Sequence, residues 1–477
     1  PGSQRWNYRL NTDIDITKTT LVKVGVSGSL KKRNAPGQGG NVWASLINQS
    51  PISIPVMYSN GYVPAFGKED DRSNPWVLAT QTGYFEIWEN KVQTNISLEQ
   101  KLDFITKGLR FEGRFGFDTN NTNEISRKKM PQTWRAERFR NTDGEITFKE
   151  QRTEEKMTQS SISTGNRTEF LEAILHYNRA FKAHHVGGTL KYSQDAYRTT
   201  VDIGTDIKNG IAKRHMGLAG RASYNWNYRY FIDFNFGYNG SENFAKGYRF
   251  GFFPSVAIGY LLSEEKFMEP YKDTFSKIKF RGSFGLTGND QLDGRRFAYQ
   301  TTLGEDGTGY DWGTNGQYYH RNSRFEGDFG IPNLTWETVS KTNAGFELGL
   351  WNMIDFQVDY FFEHRYNIFM KRNNIPTSAG FRNTPWANYG KVNNQGIDLA
   401  LNVNKQINKD LYVGFRGSFT YAQNKIIEQD EALGVMGTNR QRTGEKVNQL
   451  FGLVDEGLFT FDDFQKDANG DYLIAEN

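Results

Sequence analysis

Between Thr338 and Arg365 the chain alternates apolar and polar residues twice in succession. Thr342, Ala344, Phe346, Leu348 and Leu350 share one parity, with Lys341, Asn343, Gly345, Glu347 and Gly349 on the other. After a very short link at Trp351 and Asn352, Ile354, Phe356, Val358, Tyr360 and Phe362 alternate with Asp355, Gln357, Asp359 and Glu363, and only Phe361 breaks the polar row. A side-chain period of two over ten residues is a strand with one apolar and one polar face, and the short link makes the pair a hairpin. Two solutions hide such an apolar face. A sandwich buries it against a second sheet. A membrane barrel turns it to lipid and keeps the polar face in its lumen.

The rest of the chain decides between them. The same pattern recurs from Trp6 to Ile16 and from Val22 to Leu30, then from Val92 to Phe104 and from Leu109 to Phe117. It returns in the segments around Leu171–Tyr177, Val186–Tyr192, Met216–Trp226, Tyr230–Tyr238, Val256–Leu262, Ile278–Leu286, Ile397–Val403 and Leu411–Tyr421. The reading predicts about fourteen strands in seven hairpins, each of about ten residues, the length a tilted strand needs to cross a bilayer. Links on one side are mostly short. On the other they run to about fifty residues, as between Lys31 and Glu86 or Thr287 and Glu337. Outer-membrane barrels sort their loops this way, with short periplasmic turns and long extracellular loops, and a sandwich has no reason to. Trp226, Tyr228 and Trp351 fall at short turns, where an interfacial girdle belongs. The expected fold is therefore an all-β, transmembrane antiparallel barrel of the outer-membrane type.

Composition agrees. Mean hydropathy is −0.69 and no run approaches eighteen apolar residues, which rules out a spanning helix but not spanning strands. Aromatics at 15% and 49 glycines suit girdles and closely packed strands. There is no cysteine, so disulfides, thiolate metal sites and a cysteine nucleophile are excluded. Charge is near balance, with 58 Lys and Arg against 54 Asp and Glu, and makes no case for nucleic acid. Between Lys31 and Glu86 the sequence has no sustained period, with residues 41–50 as one short helix. Residues from about Asp118 to Arg167 read as a polar stretch holding an uncertain strand.

No catalytic constellation is present. HExxH, GxSxG and P-loop motifs are absent. His184 and His185 share a short turn, where adjacent side chains point apart, and DANGD at 467–471 has Tyr472 where a calcium loop needs glycine. Neither a metal nor a cofactor is expected. Asp355 and Asp359 read as lumen polarity rather than a glycosidase pair. Binding chemistry is better represented. Sugar rings and extended peptides both lie well on aromatic faces, and the long loops carry Trp43, Tyr58, Tyr62 and Trp76 in one, Tyr310, Trp312, Tyr318, Tyr319 and Arg321 in another, and Phe381, Arg382, Trp386 and Asn388 in a third. The substrate-binding candidates are Tyr310, Trp312, Tyr318, Tyr319, Arg321, Trp386 and Asn388. The same loops could equally pack on a partner or on one another, and Asn388 with Tyr389 and Gly390 could serve only to fix the start of a strand.

Six segments carry a family resemblance: YRLNTDIDITKTT (8–20), YNGSENFAKGYRFGFFPSVAIGYLLSEEKF (238–267), KIKFRGSFGLTGND (277–290), PNLTWETVSKTNAGFELGLW (332–351), NYGKVNNQGIDLALN (388–402) and QLFGLVDEGLF (449–459). In this order they resemble SusC-like TonB-linked outer-membrane proteins. The resemblance implies TonB-dependent import of a large nutrient, an oligosaccharide or a peptide, under a SusD-like surface lipoprotein that lids the barrel. It also implies contact with TonB through an N-terminal segment, and a dimer of transporter–lipoprotein pairs. Such transporters have about 22 strands around a plugged lumen, so residues 1–477 are expected to be a partial barrel without the plug, the TonB-binding segment and the last strands. The alternative is a passive porin-like channel, which would lack a plug.

Overall fold

The computed structural model describes residues 2–48, 55–65, 74–204, 206–314, 319–458, 460, 463–466 and 469–470. Fourteen strands form one antiparallel sheet in which, apart from two excursions, each strand pairs with its neighbours in sequence. The first four are β1 (Gly2–Asp15), β2 (Thr20–Pro36), β3 (Gly83–Lys101) and β4 (Leu109–Met130). Between β2 and β3 lie two short helices, α1 (Gly39–Ile47) and α2 (Pro75–Thr80). A side hairpin, β5 (Thr133–Arg140) with β6 (Ile146–Arg152), separates β4 from β7 (Glu155–Phe181). The sheet continues through β8 (His184–Val201), β9 (Lys213–Trp226), β10 (Tyr230–Ser241), β11 (Phe250–Leu261) and β12 (Phe275–Asn289). A second side hairpin, β13 (Leu303–Trp312) with β14 (Tyr319–Glu326), precedes β15 (Glu337–Leu350), β16 (Ile354–Lys371), β17 (Trp386–Gln406) and β18 (Tyr412–Glu428). Among the described residues β1 and β18 are the two edges, so the sheet is open rather than closed on itself.

Burial along the sheet is the inverse of a water-soluble protein's. The apolar parity is exposed: Ile232, Phe234, Ile258, Phe280, Phe284, Ile397, Phe415 and Phe419 all stand out, Ile258 at 61%. On the opposite face Glu112, Glu172, Glu347 and Asp359 are buried, Glu112 at 5%. They sit in ion pairs, one along β4, Arg114 Nε with Glu112 at 2.5 Å, and three between strands: Lys191 with Glu172, Lys277 with Glu347, and Arg281 with Asp359 at 2.5 Å. Burying carboxylates while exposing phenylalanines is unfavourable in water and favourable when lipid covers the apolar face.

The height of the apolar band can be read on β10. At the short-turn end Trp226, Tyr230 and Tyr260 stack in a row across three strands, at 5.6 Å and 5.0 Å between ring centroids. Toward the long-loop end Tyr238 stacks on Phe250 at 5.0 Å. Tyr230 and Tyr238 are eight residues apart, about 26 Å along a strand, or about 20 Å of height once tilted. That is a membrane-sized band between two aromatic girdles. The short turns are tight: Asn227 and Tyr228, like Trp351 and Asn352, both have positive φ, the conformation of two-residue hairpin turns whose twist matches the strands.

Several strands are longer than the expected ten residues, and two stretches without hydrophobic period are strands. β7 has 27 residues and β4 has 22, so the polar region from Asp118 to Arg167 is largely sheet. Likewise β2 runs on to Pro36, and residues 41–47 are helical as expected. Beyond the membrane band both faces of a strand meet water, so alternation disappears while the backbone ladder continues, Asn120 to Asn166 and Glu124 to Ile162 being examples.

Candidate ligand-capture site

The long-loop ends of β8 to β17 are held by a small apolar core of their own. Phe244, Leu292, Leu334, Trp336 and Phe369 are buried together, with Phe253, Ala298, Ile331 and Trp386 packed around them. Trp336 donates Nε1–H to the Arg249 carbonyl at 3.2 Å and lies 5.2 Å from the Phe244 ring. A polar latch crosses beside it. The Arg296 guanidinium donates to the carbonyls of Lys208, Ile211 (2.7 Å) and Ala212 (3.2 Å) and to Glu242, so one side chain ties together three loops. Asp290 accepts from Ser241 Oγ at 2.6 Å and meets His215 Nε2 at 3.1 Å, tying the end of β12 to β9 and β10.

From this base rises the β13–β14 hairpin, in the loop where most of the candidates fall. Its root is closed by Gly327 N–H to Thr302 O (2.7 Å), Thr302 N–H to Asp328 O (3.0 Å) and Asp328 N–H to Thr302 Oγ1 (2.8 Å). At the tip Tyr310 faces Arg321 and Trp312 faces Tyr319 across the strands, so all four share one face. Their exposure is high, 66% for Tyr310, 60% for Trp312 and 56% for Tyr319. Tyr310 and Trp312 meet edge to face at 5.0 Å, and the Arg321 guanidinium lies 4.3 Å over the Tyr319 ring. The reverse face holds Asp311 paired with His320 at 2.7 Å. Gly309 is required here, because a Cβ would lie 1.5 Å from the Arg321 carbonyl oxygen. Tyr318 lies outside the described residues.

The loop between β16 and β17 packs on the root of the hairpin. The Arg382 guanidinium lies 3.6 Å over the Phe325 ring, Phe381 meets Phe329 edge to face at 5.6 Å, and Asn383 donates to Asp328 at 3.3 Å. By strand alternation Phe325 shares the face of Tyr319 and Arg321, which extends the ring platform toward the barrel. Spacing alone could have found it, since Tyr319, Arg321, Ser323 and Phe325 alternate through a stretch otherwise read as loop. Trp386 is apart from the tip. It stacks on Phe369 at 5.0 Å, carries the Arg295 guanidinium at 4.6 Å and lines a cavity of about 330 Å³ with Tyr197, Lys208 and Phe329. Asn388 splints backbone, accepting from Thr335 N–H at 2.9 Å and donating to the carbonyls of Thr335 (3.0 Å) and Asn367 (2.8 Å). In the first long loop, Tyr62 stacks on Trp134 at 4.4 Å and Tyr58 meets Phe148 at 4.9 Å, so those two rings join the β5–β6 hairpin. Among the described residues no group of three His, Cys, Asp or Glu could hold a metal ion.

A charged latch fastens the far side of the same loop cluster. Buried Asp430 accepts from Arg372 Nε at 2.7 Å and from the backbone N–H groups of Asn373 (2.7 Å) and Asn374 (3.3 Å). Burial alone pushes its carboxyl upward, but the guanidinium and the two amides outweigh it and hold the carboxyl below the usual range. A carboxylate lowered by folding stabilises at pH values above its unfolded pKa of about 4, and that contribution is lost as pH falls through the lower folded value. Exchange of the Asn373 and Asn374 amides, compared with neighbouring strand amides, should accelerate when pH drops from neutral to below about 4, after correction for the intrinsic rate. Asp430→Asn should produce the acceleration at neutral pH. Unchanged protection in both cases would show that the latch does not hold this segment.

The profile of a family described as TonB dependent receptor-like, beta-barrel, matches residues 27–455. The chain is 25% identical to TonB-dependent receptor P3 of Formosa agariphila over 503 aligned positions, covering 96% of the chain and 46% of that protein. It is 28% identical to TonB-dependent receptor SusC of Bacteroides thetaiotaomicron over 210 positions, which cover 43% of the chain and 20% of that protein. Among solved structures, the RagAB peptide importer in its closed-closed state superposes with a TM-score of 0.69 at 18% identity, over 99% of the chain and 53% of the importer chain. That likeness is one of fold. The chain spans about half the length of relatives it matches from end to end, 46% of P3 and 43% of TonB-dependent receptor P39 from the same organism.

Proposed function

Because the chain belongs to the TonB-dependent receptor β-barrel family of the outer membrane, we propose that it is the larger part of an importer's barrel, one that admits a polymeric nutrient. The barrel does no covalent chemistry. The observation that carries the reading is the inverted burial of the fourteen-stranded sheet, lipid-facing rings outside and ion-paired carboxylates inside. In this reading the short turns face the periplasm and the long loops the cell exterior. A plug, a TonB-binding segment and further strands belong to a longer protein, which fits relatives about twice as long and the unpaired outer edges of β1 and β18. A SusD-like surface lipoprotein covers the loop side, and two transporter–lipoprotein pairs associate. The ligand, a glycan or a peptide, is captured first at the exposed tip of the β13–β14 hairpin, where Tyr310, Trp312, Tyr319 and Arg321 share a face, with Tyr318 next to Tyr319 in sequence. Trp386 lies deeper, along the inward route, and Asn388 maintains the loop geometry that positions both.

The test is Trp312→Ala in the full-length protein. Growth on the cognate polymer should fall, while heat-modifiable migration of the barrel and co-purification of the lipoprotein stay as in the parent. Unaffected growth, or growth and co-purification falling together, would remove Trp312 from substrate capture.

A further inference from the structure

We infer that the outer wall of β7, β8 and β9 carries a docking site for a phosphorylated lipid, whose acyl chains lie on the apolar band and whose phosphate is held by Arg167, Arg198 and Arg214. The inference rests on the lipid-facing reading of the apolar parity and not on capture at the β13–β14 tip. Its basis is the place of three arginines on that parity. Toward the loop side it runs Leu171, Glu169, Arg167 on β7, then Leu190, Tyr192, Gln194, Ala196, Arg198 on β8, and Leu218, Met216, Arg214 on β9. In the register Arg167 is directly opposite Arg198, and Arg214 is directly opposite Ala196, which sets Arg198 and Arg214 on a diagonal. Such neighbours are within about 8 Å of one another. Like charges directly opposite on paired strands weaken a sheet, so this arrangement calls for an anion over it. Glu169 supplies one, pairing with Arg167 at 3.0 Å. Among the described residues Arg198 and Arg214 form no ion pair, and both are exposed.

The patch begins where the apolar band ends. Met216 is opposite Gly240 on β10, which is opposite Phe250, a ring of the loop-side girdle. Arg214 is two residues farther out, about 7 Å along the strand, a step from acyl chain to headgroup. Beside it opens a cavity of about 700 Å³, whose lining includes Phe115, Leu171, Met216 and Phe250 of the lipid-facing parity. All four side chains are more than a third exposed. The carboxylates that line the cavity, Glu169, Asp195 and Glu242, are engaged by Arg167, His215 and Arg296, whereas the Arg214 guanidinium has none. Each part of the site selects a feature of the ligand. The apolar floor takes an acyl chain, and guanidinium forks take phosphate oxygens in pairs. A soluble anion would leave the floor unused. A zwitterionic lipid would bring a cation of its own to the three already present.

Native mass spectrometry of the full-length transporter in detergent tests this, after loading with diphosphoryl lipid A, monophosphoryl lipid A or phosphatidylcholine. Retention is expected to fall in that order. Arg198→Gln with Arg214→Gln should lower retention of lipid A about tenfold or more, the effect of losing charge-assisted hydrogen bonds to phosphate. Arg198→Lys with Arg214→Lys should lose less, since it keeps the charge without the planar fork. Lys107→Gln with Lys409→Gln removes the same charge from two exposed short turns and should change nothing. Heat-modifiable migration shows that each variant folds, and the comparison among lipids uses the parent protein alone. Equal retention of phosphatidylcholine, retention of no lipid, or a silent Arg198→Gln with Arg214→Gln would overturn the site. Inorganic phosphate binding as tightly as lipid A would replace the lipid with a soluble anion. Lipid A retained while the co-purified lipoprotein or the dimer mass is lost from the glutamine variant would make the patch a protein interface. None of these outcomes bears on Trp312, whose growth test stands separately.

Discussion

Replacing Phe244 with Ala is expected to loosen the whole loop cluster while leaving the barrel folded. Phe244 is fully buried, and its ring fills the space between Leu292, Leu334, Trp336 and Phe369. Truncating a buried phenylalanine typically costs about 3–5 kcal/mol, the lost transfer energy plus the cavity left behind. Here the cost falls on a local unit. The cluster is built from the ends of four loops, while the spanning strands are held by their own ladders and by lipid. The Arg296 latch should suffer with it, since its acceptors Lys208, Ile211 and Ala212 belong to a loop anchored against the same base. The hairpin root at Thr302 and Asp328 adjoins Ala298 and Ile331, which pack on the core, so the ring platform should lose its fixed position. The check is limited proteolysis of intact cells. Phe244→Ala should be cut rapidly in the long loops while keeping parental heat-modifiable migration. Phe104→Ala, at a residue 78% exposed, is the control and should change neither. Parental protease resistance in Phe244→Ala would show that the loops are held by something other than this core.

A second large effect is expected in the barrel wall. Val358 lies four residues above the short turn that precedes Ile354, about 13 Å along the strand and close to the middle of the apolar band. Its cross-strand partners are Phe346 and Leu399, apolar on both sides. An arginine there should cost about 2–4 kcal/mol, the penalty for a cation on the lipid face at the midplane. Gln357→Arg, one residue away, should cost far less, because position 357 pairs with Glu347 and its side chain reaches Asp359 at 2.9 Å. Refolding of the full-length protein into lipid vesicles in a urea series measures the difference. Equal tolerance at the two positions would mean that the two faces do not see different solvents.

The sequence displays the barrel wall because lipid demands a strict alternation there. Each of the fourteen strands has its membrane-crossing part in a segment where apolar residues recur at every second position, and the register of Leu348 with Phe356 and of Phe356 with Leu401 follows from it. What lies above the membrane is less legible. From Asp118 to Arg167 the two faces of each strand meet water, so the ladder leaves no trace in hydropathy, and the length of β4 and β7 goes unseen. The candidate capture site was half legible. Clustered rings and glycines marked the tip of the hairpin. The alternation that places Tyr310, Trp312, Tyr319 and Arg321 on one face was masked by the irregularity between Asp306 and Tyr310 and by the short strand length. Phe325 and its cation Arg382 are 57 residues apart in sequence, a pairing that only the packing of two loops brings about. Asn388 shows the limit of reading amides by type, because its three hydrogen bonds all go to backbone.

The central claim is that the apolar parity faces lipid and the polar parity faces a wet lumen. Spin labels on single introduced cysteines from Ile354 to Phe362 test it most directly, and residues 1–477 hold no native cysteine to compete for the label. With the full-length protein in liposomes, Ile354, Phe356, Val358, Tyr360 and Phe362 should be reached by oxygen, which partitions into the membrane. Asp355, Gln357, Asp359 and Phe361 should be reached by a water-soluble nickel chelate, Phe361 included although it is aromatic, because its parity is that of the lumen. Accessibility that alternates in the opposite phase, or does not alternate at all, would contradict the account.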